Sequence, residues 1–255
     1  LGIQSFDDGC LEALGRIHNS DQAMEAIELA QGVGLDSFNL DLMHGLPDQS
    51  MEMALVDVQR AASYRPPHIS WYQLTIEPNT AYYKRPPRLP QENVLHSIQD
   101  QGERLLQTEG YVPYEVSAWA QAGYRCHHNI NYWQFGDYLG IGAGAHSKWT
   151  DLAANEVKRC ARSRQPENYL QDHGPIQQRT LTTEDLIGEH MMNTLRLHSG
   201  FDLAEFSART GLMAQDIMPA LDSLVGRELL EVEDTRYRAS ELGRRHLDSL
   251  LAEFF

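Results

Sequence analysis

The sequence predicts an α/β fold: a parallel sheet built from strand–helix–strand units, followed by a small, mostly helical module. Three observations carry this. Over the first half, short apolar runs alternate with helix-length amphipathic stretches. Glycine or proline punctuates the joins. In the last third the pattern changes to short helices around one hairpin-like pair of runs. The chain has 255 residues, 42% hydrophobic and 22% charged, enough for a sizeable core in one large domain or a main domain with an appendage.

Residues 1–6 read as the first strand. Ser20 is expected to cap a helix with Met24, Ile27 and Ala30 on one face, stopped by Gly32 and Gly34. Residues 38–43 form the second strand and close on Gly45 and Pro47. A helix over 51–62 carries Leu55, Val58 and Ala62 inward, and 69–75 is the third strand. The stretch 77–90 contains four prolines and is expected to be irregular. A long helix over 91–109 turns Leu95, Ile98, Leu105 and Leu106 inward. This organisation predicts a barrel-type domain over 1–150 and a polar connector over 151–180, with Pro166 and Pro175. The C-terminal domain, 181–255, has helices over 184–197, 202–210 and 216–228, a hairpin turning at Asp234 and Thr235, and a final helix. That order resembles a winged helix.

Composition removes several function classes. The formal net charge is −15, whereas a nucleic-acid groove needs clustered Lys and Arg. Residues 184–255 hold seven basic and fourteen acidic side chains, so the tail is expected to serve packing or partner docking rather than DNA. No run approaches the roughly 20 apolar residues of a membrane span. No basic leader precedes an apolar stretch at the start. The three cysteines, Cys10, Cys126 and Cys160, lie far apart, which excludes a disulfide scaffold and fits a reducing, cytoplasmic compartment. Leu1 opens directly on a strand without an initiator Met, as in a piece of something longer.

Two sets of residues carry candidate chemistry. Gln4, Asp41 and Gln73 interrupt apolar strands, where an unpaired charge is costly unless it faces a polar cavity. In a parallel barrel the strand ends line the ligand site, so the three together read as a pocket; a buried Asp41 bonded to a neighbouring loop is the plain alternative. The second set is Cys126-His-His-Asn-Ile-Asn-Tyr-Trp133, followed by the glycine-rich turn 139–146. This octet is a poor helix and a poor simple strand. Imidazoles ligate metal, carboxamides donate and accept, and Tyr and Trp offer apolar area with a polar tip. The plain alternative is a loop whose histidines satisfy backbone groups.

With these segments laid out, Gly2-Ile-Gln-Ser-Phe6, Leu14-Gly-Arg-Ile-His18, Asn39-Leu-Asp-Leu-Met-His-Gly-Leu-Pro47, Tyr72-Gln-Leu-Thr-Ile-Glu-Pro78, His128-Asn-Ile-Asn-Tyr-Trp133 and Tyr138-Leu-Gly-Ile-Gly-Ala-Gly-Ala-His146 resemble one family. It is the HemW family of heme chaperones, in the radical SAM superfamily and related to oxygen-independent coproporphyrinogen III oxidase. The resemblance runs over essentially the whole chain. It implies the C-terminal part of a partial (β/α) radical SAM barrel, followed by the winged-helix-like domain.

As cofactors the resemblance implies a [4Fe–4S] cluster and S-adenosylmethionine, and as ligand heme. By position, Gln4, Arg16 and Asp41 match residues that contact S-adenosylmethionine in the oxidase; Thr75 matches another such position with a different side chain. His128 becomes the natural axial ligand to heme iron, with Asn129, Tyr132 and Trp133 around the porphyrin and His146 near a second site. The histidine-rich hexad is typical of the chaperone branch, so heme delivery to apo-heme proteins such as cytochromes is the expected role. A coproporphyrinogen-oxidising enzyme of porphyrin biosynthesis is the alternative. A homodimer and a peripheral membrane contact are both compatible with this. The cluster motif Cys-x-x-x-Cys-x-x-Cys is absent from the sequence, and the chain reads as a family member lacking its first strands.

Overall fold

The computed structural model describes residues 1–171 and 177–255; Pro175 of the expected connector lies outside them. The chain divides into two compact units, Leu1–Arg125 and Cys126–Phe255. The division precedes position 150, so residues 126–150 belong with the second unit.

The first unit alternates as the pattern predicts: β1 (Gly2–Gln4), α1 (Asp8–Ala13), α2 (Ser20–Gly32), β2 (Asn39–His44), α3 (Met51–Ser63), β3 (His68–Gln73), α4 (Ala81–Lys84), α5 (Glu92–Thr108), β4 (Val112–Glu115) and β5 (Ala118–Ala120). Its five-stranded sheet has the order β1-β2-β3-β5-β4. β1, β2 and β3 run parallel, with Asn39 beside His68 and Asp41 beside Ser70. β5 joins β3 antiparallel and hairpins with β4, an antiparallel addition absent from the sequence expectation.

One sheet face is apolar. Ile3, Leu40, Leu42, Ile69 and Trp71 pack there against Ala23 and Ile27 of α2, Val58 of α3, and Ile98 and Leu106 of α5. Burial of each large aliphatic side chain contributes about 2 kcal/mol. Because side chains alternate along a strand, Asn39, Asp41, His68, Ser70 and Tyr72 face the other way. Gln73 does not join them. It sits on the helix side, with its side chain beside Gly45, so the expected trio of Gln4, Asp41 and Gln73 is corrected to exclude it. Other local expectations shift too. Asn19, not Ser20, caps α2, because its side chain accepts from Gln22 N–H and Gln22 returns the bond. The short α4, capped by Thr80, falls in the stretch expected to be irregular, and α1, capped by Asp7, is a helix with no counterpart among the expected elements.

The second unit contains α6 (His127–Trp133), β6 (His146–Asp151), β7 (Glu156–Ala161), α7 (Pro166–Gln171), β8 (Gln177–Thr180), α8 (Thr183–Thr194), β9 (Phe201–Asp202), α9 (Leu203–Thr210), α10 (Met218–Gly226), β10 (Leu230–Glu233), β11 (Arg236–Ala239), α11 (Glu241–Arg245) and α12 (Leu247–Leu251). β6, β7 and β8 form an antiparallel sheet, so the expected connector carries two strands, β7 and β8, with the helix α7 between them. Farther on, α8, α9 and α10 enclose Met191, Phe201, Phe206, Leu221 and Leu224 with the β10-β11-β9 sheet. Asp202 and Gly211, the latter left-handed at φ 74°, cap α9 at its two ends. The final helix is broken into two at His246.

Candidate functional site

In the first unit, Tyr72 touches one residue of the expected S-adenosylmethionine set and feels the charge of two others. Its hydroxyl donates to Gln4 Oε1 at 3.0 Å. Burial pushes the Tyr72 phenol up; the Asp41 carboxylate adds to this, while Arg16 and the bond to Gln4 oppose it, so both charges act on one hydroxyl. Gln4 occupies the left-handed region at φ 68°, a conformation costing a non-glycine residue about 1 kcal/mol. Its amide lies back over Gly2, where an added Cβ would come within 2.9 Å of Nε2. Gly2 in turn is the register partner of Asp41.

The turn after Gln4 is pinned from α3. Asp57 accepts from Ser5 Oγ at 2.6 Å and from Phe6 N–H at 2.7 Å. Burial raises the Asp57 carboxyl to about 6, against the pull of those two donors. A strained residue held by a buried carboxylate is the kind of feature found where ligand positioning matters. Arg16 is exposed just after α1, and Thr75 lies beyond the end of β3 with its hydroxyl donating to Glu77 at 3.2 Å.

In the second unit the octet is helical, contrary to the expectation of a poor helix. A seven-residue helix does not hold itself; its anchors lie at and beyond its C-terminus. Trp133 sits under the Arg196 guanidinium at 4.4 Å. Phe135, at φ 56°, ends the helix and is fully buried in a cluster with Val157, Leu181 and Leu186. Asn131 Nδ2 donates to Asp137 O at 2.9 Å, and Gly136 N–H to Asn131 O at 2.7 Å.

This anchoring leaves His127 and His128 exposed on the first turn and Asn129 half-buried beside them. His128 and Tyr132, one helical turn apart, meet edge-to-face at 4.8 Å. Tyr132 stacks tilted on Tyr138 at 4.3 Å. The Tyr138 hydroxyl accepts from Arg159 at 2.7 Å, and Arg159 and Arg179 both grip Glu189. The result is a ladder of three rings, tied at its inner end to β7. Tyr138 was missed as a site residue: nothing in its spacing shows that the turn brings it onto Tyr132. Trp133, also expected around the porphyrin, has the Arg196 guanidinium over one face of its ring.

The glycine-rich turn serves as a clasp. Gly140 N–H donates to Ser147 Oγ at 2.8 Å and Gly142 N–H to Tyr169 Oη at 3.1 Å, while Gly144 N–H is taken by Ser163 O. A Cβ on Gly140 would fall 2.0 Å from His146 O, so only glycine allows that approach. His146 stands exposed at the first position of β6.

The residues present do not fit a [4Fe–4S] cluster. Cys10 and Cys160 are buried and Cys126 is half-buried, in different elements. Burial, with Asp7 adding, pushes the Cys10 thiol up to about 12, away from the thiolate that ligates iron. Among the described residues no three His, Cys, Asp or Glu side chains form a metal-holding group. Among the same residues, no helix is long and apolar enough to cross a membrane.

Residues 181–246 match the HemN C-terminal domain family. The fold is similar to that of the radical SAM enzyme coproporphyrinogen III oxidase from Escherichia coli, with a TM-score of 0.77 at 18% identity, over 99% of this chain and 62% of that one. Among curated proteins, the heme chaperone HemW of Escherichia coli K12 is 46% identical over all of this chain and 67% of its own length. The HemW of Buchnera aphidicola from Acyrthosiphon pisum is 37% identical with the same coverage. A mouse mitochondrial protein, radical S-adenosyl methionine domain-containing protein 1, is 30% identical over 98% of this chain and 60% of its own length. The chain thus spans about two thirds of the HemW proteins it matches. With the polar sheet face, the ring ladder and this identity running from one end of the sequence to the other, the chain belongs to the HemW heme chaperone family of radical SAM proteins.

Proposed function

We propose that this chain carries the heme-holding surface and part of the S-adenosylmethionine site of a cytoplasmic heme chaperone, which passes heme to apo-heme proteins such as cytochromes. The observation that supports this is the exposed His128 imidazole, backed by the Tyr132–Tyr138 pair. A chaperone must release what it holds. One axial ligand on an exposed helix can be exchanged for the acceptor's own ligand without opening a core, whereas a buried ligand cannot. Tyr132 and Tyr138 would supply apolar area beside the porphyrin, and Asn129 and His146 would supply polar contacts.

On the sheet face, Asp41 would accept from ribose hydroxyls, Arg16 would pair with the methionine carboxylate, and Gln4 would bond to either. Bound S-adenosylmethionine would bring an adenosyl group and a sulfonium to that face. Radical chemistry is not assigned to these residues, because the cysteines present do not fit the cluster it needs.

The test is a heme titration followed in the Soret band. The parent chain is expected to show a ligation shift, and His128→Ala is expected to lose it and bind at least about tenfold more weakly. Equal binding by the variant would remove His128 from the site.

A further inference from the structure

A row of hydrogen bonds runs across the polar sheet face and ends on Asp41. Asn39 Nδ2 lies 2.8 Å from Asp41 Oδ1. Asn39 Oδ1 lies 2.6 Å from His68 Nδ1 and 3.1 Å from Ser70 Oγ. His68 Nε2 lies 2.8 Å from Tyr114 Oη. His68 is 4% exposed and Tyr114 3%, with their rings edge-to-face at 5.6 Å.

The carboxylate sets the direction of the whole row. Asp41 only accepts, so Asn39 must turn its NH₂ toward it. The Asn39 carbonyl then faces His68 and Ser70, and both must donate. His68 therefore carries its proton on Nδ1, and its bare Nε2 accepts the Tyr114 hydroxyl. Burial keeps this imidazole neutral, lowering it to about 4 against the weaker pull of Asp41. Each group has one role, and reversing any of them would set donor against donor or acceptor against acceptor.

We propose that Asn39 and His68 are positioning residues for Asp41: the row from Tyr114 holds Oδ1 and leaves Oδ2 to accept from the vicinal hydroxyls of a nucleoside ligand. Among the described residues Asp41 Oδ2 has no hydrogen-bond partner. The inference rests on the reading of Asp41 as a ribose ligand. It adds residues that no sequence spacing marks, since Asn39, His68 and Tyr114 come from three strands. A carboxylate fixed beforehand loses less rotamer freedom when it binds.

Two measurements test this on the 255-residue chain. The first is calorimetric titration with S-adenosylmethionine. Asn39→Ala and His68→Phe are expected to raise Kd about tenfold, the scale of a hydrogen bond to a charged group. His68→Gln, which keeps a donor and an acceptor, should bind within about threefold of the parent. In an Asp41→Ala background, Asn39→Ala should add nothing further. If Asp41→Ala weakens binding and the other variants do not, the positioning role is overturned alone. If Asp41→Ala binds like the parent, or the parent does not bind, the ribose-ligand reading falls and the inference with it.

The second measurement needs no ligand. Nitrogen-15 NMR should find His68 as the neutral Nδ1–H tautomer, and Asn39→Ala should shift its Nδ1 resonance. An Nε2–H tautomer would overturn the row's direction and the proposal, whatever the titration shows.

Discussion

In the first unit the imidazole of interest, His68, is buried and bonded at both nitrogens, whereas in the second the imidazole of interest stands exposed on a short helix. The contrast follows from what each surface would do. A small ligand held for its chemistry benefits from donors and acceptors fixed in advance by a sheet. A cargo that must be handed on benefits from a ligand within reach of another protein. Supports differ accordingly: a hydrogen-bonded row backs Asp41, and a ring ladder tied to Arg159 backs His128.

The largest way to break this comparison is to collapse one unit alone. Gly102 lies in α5 against Trp71, and a Cβ there would fall 2.0 Å from the indole Cη2. Gly102→Ala should cost about 3 kcal/mol, because the indole is buried on every side and cannot shift freely. Hydrogen exchange should show lost protection in α3 and α5 with α8 unchanged. A loss shared equally by α8 would mean that the units do not unfold separately.

Acid sharpens the comparison at a smaller scale. Burial lowers His44 and His68 to about 4 in the first unit and His190 to about 3 in the second, from 6.5. Below the unfolded value these imidazoles take up protons only on unfolding, so stability falls with pH by about 1.4 kcal/mol per unit for each. Asp57 works in the opposite sense. Its folded value, about 6, exceeds the unfolded 3.8, so in that window the folded state takes up the proton and gains stability as pH falls.

Between pH 6 and pH 4 the first unit should therefore lose about 1.4 kcal/mol per unit, two histidines against one carboxyl. In Asp57→Asn the slope should roughly double, while the second unit's slope stays the same. Denaturant titrations across this window, read by hydrogen exchange in each unit, check both. An unchanged slope in the variant would show that Asp57 does not protonate in the folded state.

The smallest expected effect is at the ladder. Tyr138→Leu keeps apolar bulk but removes a ring contact worth about 1 kcal/mol, so heme affinity should fall about fivefold. The chain's S-adenosylmethionine binding should not change. A fall in both would mean that Tyr138 does not act on heme alone.

Much of the architecture was legible. The strand–helix alternation to residue 109, the C-terminal helices and the Asp234–Thr235 hairpin turn follow from period and punctuation. The motifs also placed the chain in its family before any coordinates. The misses have specific causes. α6 was illegible because His, Asn, Tyr and Trp are poor helix formers, and Arg196 and the Phe135 cluster hold it from outside. Gln73 was misassigned because a run of polar and aromatic residues does not say which face is core. Tyr72, its neighbour, is the residue that meets Gln4. His68 falls just before the expected third strand, and its bonding partners, Asn39 and Tyr114, are distant in sequence.

By itself, the sequence determined the order of elements, the family and the identity of the side chains able to do the chemistry. Those depend on local periodicity and on residue type. Tertiary structure decided which of them face one another: that Tyr72 bonds to Gln4, that Asp41 ends a row of four further side chains, and that His128 is backed by two tyrosines. The reason is physical. The direction of a hydrogen bond and the covering of a ring face are properties of pairs, and these pairs are formed by strands and turns far apart along the chain.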